Sequence, residues 1–189
     1  MLDGILDFEV DKGNWKYTYH DRMVRYPIDN QIKFPETPYL NQITFVIDEL
    51  RRNPYSRRAV IDIRDNSEDM YSDDPACLQN IQFFIRDNKL HMKVLFRSND
   101  ACKAAFMNAF ALIMLQKRVS DELGIEVGTY AHRANSFHCY ERDFEMLDGY
   151  VNRIIHGDDT TYSYQDDWKE LMEEARPEIA KKVEILKNK

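Results

Sequence analysis

Two stretches of the chain carry apolar residues at helical spacing. Between Leu40 and Arg52 the apolar residues lie three to four positions apart, which predicts an amphipathic helix. Asn53-Pro54 predicts where that helix ends. Residues 101–123 are apolar on several sides, so we expect a long helix buried in the middle of the domain and ending at Gly124.

Strand patterns fill the space between these helices. Residues 58–63 form a short apolar run that is typical of a buried strand. Residues 79–85 and 89–96 flank Asp87-Asn88, a dipeptide that favours a tight turn, and together they predict a β-hairpin. Residues 127–140 predict one further strand.

The ends of the chain have weaker patterns. Residues 1–39 are irregular, residues 144–155 predict a helix, and residues 157–167 are acidic and rich in tyrosine. A charged C-terminal helix follows, which we expect to be broken at Pro177. Because helices and strands mix without internal repeats, residues 1–189 are predicted to form a single α+β domain.

Composition and charge narrow the class of protein. The 189 residues are 43% apolar, enough for one well-buried core. Lys and Arg total 26 against 33 Asp and Glu, a formal charge of -7. Nucleic-acid binders need a basic surface, so this balance speaks against that class. It does not exclude an anionic small ligand, because a local arginine cluster can hold a phosphate on an acidic protein.

The cysteines and histidines show no metal-binding pattern. The three cysteines have no CxxC pair, which argues against a disulfide framework and a structural zinc site. The histidines have no metal-ligand spacing either, so no metal is expected. The first residues lack the features of a signal peptide and no apolar run reaches about 20 residues, so a cytoplasmic, non-membrane protein is expected.

Cys77 is the first candidate for chemistry. It follows Pro75-Ala76 and precedes an apolar strand. Taken alone, a single cysteine is more often a small buried apolar residue than a nucleophile. A reactive cysteine needs a thiolate, which nearby cations favour, and Arg57-Arg58 and Arg97 are the candidates for that role.

Residues near position 100 could bind an anion. Arg97-Ser98 before a helix combines a guanidinium group, a hydroxyl and helix-terminal N–H groups, which suits a phosphate. Asp100 could equally be an ordinary N-cap of that helix. Asn108 either pairs with the backbone or binds the edge of a base such as a pyrimidine. His138 and Tyr140 share one side of a strand, where they could bind a sugar hydroxyl or end the sheet at solvent.

Seven segments become informative through their order and spacing. Cys77 lies twenty residues after Arg57 and twenty before Arg97, and Asn108 lies eleven residues beyond Arg97. The segments are Tyr17-Thr18-Tyr19-His20-Asp21-Arg22, Asn41-Gln42-Ile43, Asn53-Pro54-Tyr55-Ser56-Arg57-Arg58, Pro75-Ala76-Cys77, Arg97-Ser98-Asn99-Asp100, Asn108 and His138-Cys139-Tyr140. Together they resemble the thymidylate synthase family of pyrimidine nucleotide C5 methylases and hydroxymethylases, over residues 19 to 150 or so.

The resemblance implies a mechanism and a set of catalytic residues. Cys77 would be the nucleophile that adds to C6 of uracil, so that C5 can attack a one-carbon unit from 5,10-methylenetetrahydrofolate or a methanopterin analogue. Asn108 would contact O4 and N3 of the base and steady the enolate. Tyr19 and Asp100 would also be catalytic, and Asp100 would serve the folate.

The resemblance also implies how the substrate is held and how subunits assemble. Arg97 and Ser98 would bind the phosphate of deoxyuridylate. His138 and Tyr140 would bind the ribose 3′-hydroxyl. The expected fold is a large mixed β-sheet packed on the long buried helix, with a homodimer formed sheet to sheet. Arg57 and Arg58 would reach across that dimer to the phosphate in the other subunit.

Three features depart from the family pattern. His20 stands where glycine is usual, and Leu78 follows the cysteine where histidine is usual. Only 18 residues precede Tyr19, and none of them matches the N-terminal region that carries a glutamate and a shielding tryptophan in full-length members. Glu9 and Trp15 could substitute for those two residues. The resemblance is therefore to a compact, N-terminally shortened member.

These departures leave three functions open. The first is a thymidylate synthase-like methyl transfer to deoxyuridylate. The second is a uridylate or cytidylate hydroxymethylase, which loss of a shielding tryptophan would favour by admitting water. The third is a non-catalytic nucleotide-binding homologue with the same fold.

Overall fold

A computed structural model describes residues 3–28 and 39–188, so residues 29–38 of the irregular N-terminal stretch lie outside the description. The helices are α1 Phe8–Asp11, α2 Tyr19–Val24, α3 Gln42–Arg52, α4 Asn66–Asp69, α5 Ala105–Leu123, α6 Phe144–Ile155 and α7 Lys169–Lys187. The strands are β1 Tyr26–Pro27, β2 Tyr39–Leu40, β3 Val60–Asp62, β4 Leu78–Arg86, β5 Lys89–Phe96, β6 Asn99–Asp100, β7 Glu126–Ala134 and β8 Phe137–His138. The α+β class is confirmed.

The central sheet is mixed and has the strand order β3-β4-β5-β7. The pairs β3–β4 and β4–β5 are antiparallel, and β5–β7 is parallel. The predicted hairpin is confirmed, since Asp87 and Asn88 at its turn have φ values of 51° and 57°. Two successive residues with positive φ match the right-handed twist of the paired strands.

Helix α3 forms where the apolar spacing predicts it. The Asn41 side chain caps the first turn by accepting a hydrogen bond from Thr44 N at 3.1 Å. Val46 and Leu50 are fully buried on its inner side, and the helix ends before Asn53. This helix contacts β3 and α5, so it covers one end of the core.

Helix α5 differs from its prediction at its start and in its burial. The carboxylate of Asp100 accepts from the N–H groups of Cys102 and Lys103 and holds a turn over residues 101–104, so the helix begins at Ala105. One side of the helix is buried, but Phe106 is 51% exposed and Met107 63%. The expectation of burial on all sides is therefore wrong for this chain taken by itself, while the predicted end at Gly124, with φ of 67°, is confirmed.

The strand predicted over residues 127–140 is divided in two. Strand β7 ends at Ala134, and Asn135 and Ser136 turn the chain by donating to the carbonyls of Phe96 and Arg97. The chain then forms β8, which pairs in parallel with β6 as a separate two-stranded sheet. This second sheet places residues 98–100 beside residues 137–138.

The C-terminal region also corrects one prediction. Helix α6 has the predicted bounds, but α7 runs through Pro177 without a break. Proline removes a single N–H donor from the helix, and the turns on both sides keep their own hydrogen bonds. No helix within the two described ranges is long and apolar enough to cross a lipid bilayer.

Candidate active site around Cys77

Cys77 lies at the entrance to β4 and is half-buried. Its neighbours Ala76 and Leu78 are fully buried, so the backbone on both sides of the thiol is held by the core. The Cys77 carbonyl accepts a hydrogen bond from Arg97 N at 2.8 Å, which joins the start of β4 to the end of β5. The cysteine therefore lies on fixed backbone at the N-terminal end of β4, an inner strand of the central sheet.

The Arg97 side chain turns back onto the segment that carries Cys77. Its Nη2 donates to the Pro75 carbonyl at 2.7 Å, and its Nε donates to the Ala76 carbonyl at 3.2 Å. The guanidinium group thus brings a permanent positive charge to the cysteine segment. Two of its five N–H groups are used in these bonds, which leaves three for a ligand.

Tyr19 contacts the same segment from α2. Its hydroxyl oxygen accepts a hydrogen bond from Leu78 N at 3.3 Å. Burial raises the pKa of the Tyr19 phenol above its ordinary value, so the group is neutral near pH 7. The structure thereby brings Tyr19, Cys77 and Arg97 together, three of the residues that the sequence indicates.

A buried ion pair holds α2 in this position. Arg22 donates to both carboxylate oxygens of Asp69 at 2.7 and 2.9 Å and to the Ile63 carbonyl at 2.8 Å. Its guanidinium carbon also lies 4.1 Å from the centre of the Tyr17 ring. The sequence does not indicate Asp69, because α4, which carries it, lies in a polar stretch that resembles an ordinary loop.

A cavity of about 670 Å³ opens beside Tyr19. Its wall combines residues 4–7 and 14–20 with residues 72–74, which lead into the cysteine segment. Trp15, Tyr17 and Tyr19 contribute aromatic rings to it. Glu9, the other candidate from the N-terminal stretch, accepts a hydrogen bond from Asn14 at 2.7 Å on the exposed surface. Of those two candidates, it is therefore Trp15 that faces this cavity.

The second sheet gathers the residues expected to hold a sugar and a phosphate. Ser98 Oγ lies 3.4 Å from His138 Nδ1, within hydrogen-bonding distance. The rings of His138 and Tyr140 meet edge to face with their centres 5.0 Å apart. Asp100 is not the N-cap of α5, which is Ala104, and its carboxylate caps the turn at residues 101–104 before that helix.

Asn108 belongs to a chain of four polar side chains. Its Nδ2 donates to Asn99 Oδ1 at 3.3 Å, and Asn99 Nδ2 lies 2.8 Å from His132 Nε2. His132 Nδ1 lies 2.7 Å from the Tyr130 hydroxyl. Of these four residues, the sequence indicates a site role for Asn108 alone. The alternation of Tyr130 and His132 along one strand was the available signal for the others.

Arg57 and Arg58 lie far from Cys77 within one chain. They precede β3, which runs antiparallel to β4 with Val60 opposite Gln82, so they stand at the far end of β4 from Cys77, about 20 Å away. Arg58 Nε and Nη2 donate to Glu49 at 3.1 and 3.0 Å. Arg58 thus has a partner in its own chain, so its position alone does not require a second subunit.

The other two cysteines lie in contact. Cys102 Sγ and Cys139 Sγ are 3.0 Å apart, although both thiols are free. The hydrogen bond to Cys102 and burial raise the pKa of Cys139 to about 11. Separately, residues 3–28 and 39–188 contain no group of three or more His, Cys, Asp or Glu that could hold a metal ion.

The chain is similar in sequence to one protein family and to several curated proteins. The sequence profile of the family described as thymidylate synthase matches residues 7–177. A protein named "Putative thymidylate synthase" from Methanocaldococcus jannaschii is 40% identical over 152 residues, which cover 76% of this chain and 64% of the relative. Proteins of the same name from Methanosarcina barkeri and Methanothermobacter thermautotrophicus are 34% and 33% identical, covering 61% and 71% of this chain and 53% and 56% of theirs. The chain therefore spans between about half and two thirds of these relatives.

Proposed function

The chain belongs to the thymidylate synthase family, and on that premise we propose that it transfers a one-carbon unit to C5 of deoxyuridylate through a covalent adduct of Cys77. The observation that carries the proposal is the setting of this thiol. It is half-buried at the N-terminal end of β4. Arg97 donates to the Pro75 and Ala76 carbonyls before it, and the Tyr19 hydroxyl accepts from the Leu78 N–H after it.

The chemistry begins with the Cys77 thiolate. Its sulfur forms a bond to C6 of the uracil ring, and the C5–C6 electron pair moves toward O4 to give an enolate. C5 then becomes the nucleophile and bonds the one-carbon unit, and loss of the C5 proton breaks the bond between that carbon and the donor nitrogen, which leaves a methylene group on C5. Addition of a hydride to that methylene, or of hydroxide from water in a hydroxymethylase, restores the C5–C6 double bond and expels the Cys77 sulfur from C6. Arg97 holds the segment that carries this sulfur through its hydrogen bonds to the Pro75 and Ala76 carbonyls.

The substrate contacts follow from the free donors and acceptors of the site. The three unused N–H groups of Arg97 and the Ser98 hydroxyl bind the phosphate. His138 and Tyr140 bind the 3′-hydroxyl. The Asn108 amide binds the base, for which it offers both a donor and an acceptor. Asp100 acts by holding the turn before α5.

The donor would be a methylene-tetrahydrofolate or a methanopterin analogue, which supplies the one-carbon unit and, for methylation, a hydride. The cavity beside Tyr19 fits a flat heteroaromatic ring, since about 670 Å³ lined by Trp15, Tyr17 and Tyr19 lies in the range of small-molecule sites. Those rings would stack on the donor and shield the reacting carbon from water.

We include a homodimer in this proposal. Arg57 is exposed and lies at the far end of β4 from the thiol of its own chain. A two-fold axis through the face of the central sheet would bring it to the phosphate in the other subunit. Arg58 would join it there once its bonds to Glu49 are shared or exchanged.

The test is formation of a covalent adduct with 5-fluorodeoxyuridylate in the presence of methylenetetrahydrofolate. Fluorine at C5 cannot leave as a proton does, so the adduct accumulates and intact-protein mass spectrometry detects it. The wild type and Cys139→Ser should form it, and Cys77→Ser should not. A wild type that forms no adduct with either folate or methanopterin donors would contradict the proposal.

Product analysis then identifies the reaction. Methylation should release tritium from 5-tritiated deoxyuridylate and produce dihydrofolate in equal amounts. Tritium release without dihydrofolate would identify a hydroxymethylase. Nucleotide binding without release of tritium would identify the protein as a non-catalytic nucleotide-binding homologue.

A further inference from the structure

The four side chains from Asn108 to Tyr130 form a hydrogen-bond chain with a defined direction. Asn99 is 3% exposed, and the His132 ring stacks on Phe96 with centres 4.8 Å apart and planes 6° from parallel. Packing therefore fixes both middle members, and neither can turn away to find other partners. Whether one group donates or accepts a hydrogen bond therefore decides whether the next group accepts or donates.

The direction follows from the two ends of the Asn99 amide. Asn99 Oδ1 accepts from Asn108 Nδ2, so Asn99 Nδ2 faces His132 Nε2 and donates to it. A histidine whose Nε2 accepts carries its proton on Nδ1, which then donates to the Tyr130 oxygen at 2.7 Å. Burial lowers the pKa of His132 and raises that of Tyr130, so both are neutral near pH 7.

We propose that Asn99 and His132 are positioning residues that hold the Asn108 amide in one orientation and thereby select uracil over cytosine. This inference rests on the proposed function. One N–H of Asn108 is taken by Asn99, which leaves the second N–H and Oδ1 for the base. Uracil offers O4 as an acceptor and N3–H as a donor, and it matches that pair.

Cytosine offers the reverse pattern, an amino donor at C4 and an acceptor at N3. It would bind only if the Asn108 amide turned by 180°. Its Oδ1 would then face Asn99 Oδ1, and two acceptors would meet in a half-buried site. Asn99 could turn to compensate only if His132 also moved its proton from Nδ1 to Nε2 and the Tyr130 hydroxyl became a donor, so all four side chains would have to reverse their hydrogen bonds together. The selection of the base therefore depends on Asn99 and His132 as well as on the Asn108 amide that contacts the base.

The experiment measures dissociation constants of deoxyuridylate and deoxycytidylate by calorimetry on the full chain. Asn99→Leu removes both hydrogen bonds, and His132→Phe keeps the stacking on Phe96 but removes the accepting nitrogen. Both should lower the preference for deoxyuridylate at least about tenfold. Asn99→Asp still accepts from Asn108 and should keep the preference. His91→Gln is the matched control, since that histidine lies on β5 and bonds to Thr129 N, outside the chain of four.

The outcomes separate this inference from the function on which it rests. A wild type that prefers deoxyuridylate, with the same preference in Asn99→Leu and His132→Phe, would overturn the inference and leave the proposed function standing. A wild type that binds neither nucleotide would contradict the proposed function itself. A wild type that prefers deoxycytidylate would show that Asn108 has the opposite orientation.

A second measurement does not depend on nucleotide or on the folding of a variant. Nitrogen-15 chemical shifts of the imidazole distinguish the two neutral tautomers. His132 in the wild type should carry its proton on Nδ1. A proton on Nε2 would mean that Asn99 presents its carbonyl to the ring, and the proposed direction of the chain would be wrong.

Discussion

At the scale of single residues, Arg97 has two roles, one in holding the segment before Cys77 and one in the proposed binding of phosphate, and its sequence motif indicates only the second. Its guanidinium group holds the Pro75 and Ala76 carbonyls and still has three donors to spare. A lysine would keep the charge but cannot bond in a fixed fork to both carbonyls while reaching a phosphate. Residue type and geometry therefore matter here as much as charge.

Arg97→Lys should consequently slow adduct formation at Cys77 and lower the free energy of unfolding by about 2 kcal/mol, because two charge-assisted hydrogen bonds are weakened. Single-turnover mass spectrometry and urea unfolding measure the two effects. Arg86→Lys, at the exposed end of β4, is the control and should change neither. Unchanged adduct kinetics in Arg97→Lys would show that the guanidinium does not organise the cysteine segment.

The contact between Cys102 and Cys139 makes a prediction about thiol reactivity. The hydrogen bond to Cys102 is the largest cause of the raised pKa of Cys139. Cys102→Ala should bring that pKa down from about 11 toward its ordinary value of 9.0 and so increase alkylation of Cys139 by iodoacetamide at pH 8.5. Peptide mass spectrometry gives the rate, with Cys77 in the same sample as an internal reference. An unchanged rate at Cys139 would contradict the hydrogen bond.

The residues that sequence reasoning found and missed differ in how they are joined. Arg97 and Ser98 are neighbours in a short motif, and Tyr19 belongs to another, so local pattern together with the family resemblance indicated them. Asn99 and His132 lie 33 positions apart and meet because β7 pairs in parallel with β5, whose end leads into β6, and β8 pairs with β6. No local pattern predicts that juxtaposition, which depends on the register of two strand pairs.

At the scale of secondary structure elements, Glu49 ties α3 to the segment before β3. Its carboxylate is 2% exposed and accepts from Ser56 Oγ at 2.6 Å and from Arg58, and Arg52 also pairs with it. The hydrogen bond from Arg58 is the largest cause that lowers the pKa of Glu49 to about 2. A group with a lowered folded-state pKa stabilises the fold above its unfolded-state value.

The stability of the wild type should therefore be highest above about pH 4.5 and fall as the pH approaches about 2, because Glu49 takes up a proton more readily when unfolded. Glu49→Gln should be less stable than the wild type at pH 7, and the difference should shrink in acid. Urea unfolding at a series of pH values tests this. Asp48→Asn, an exposed neighbour on α3, is the control. A constant difference across the series would show that the Glu49 charge does not matter.

Element bounds were predictable where a local signal fixes them. The hairpin turn and Gly124 act through residues beside them in sequence, and both occur where predicted. The start of α5 was not predictable from apolar pattern, because the Asp100 carboxylate captures the N–H groups that an earlier helix start would use. The single-domain organisation stays a prediction.

At the scale of the whole molecule, one chain places the two predicted phosphate-binding pairs apart. Arg97 bonds to the segment before Cys77 and Ser98 follows it in the chain, whereas Arg57 and Arg58 lie about 20 Å from Cys77 along β4. The exposed apolar residues of α5 and α6, among them Phe106 and Ile154, add further surface that a single chain leaves uncovered. In the proposed homodimer, Arg57 of each subunit would contribute to the phosphate site of the other subunit, which would account for its distance from Cys77 of its own chain.

Mixing two inactive variants tests whether Arg57 contributes to the active site of the other subunit. In a heterodimer of Cys77→Ser with Arg57→Glu, one site combines an intact thiol with an intact Arg57 from its partner. Random exchange of subunits should then restore about one quarter of the wild-type activity, since half of the dimers are mixed and each has one complete site. Cys77→Ser mixed with Arg97→Gln is the matched control, because Arg97 serves the thiol of its own chain and no mixed site is complete. Equal recovery in both mixtures, or none in the first with exchange verified by mass spectrometry, would place Arg57 outside the partner's site.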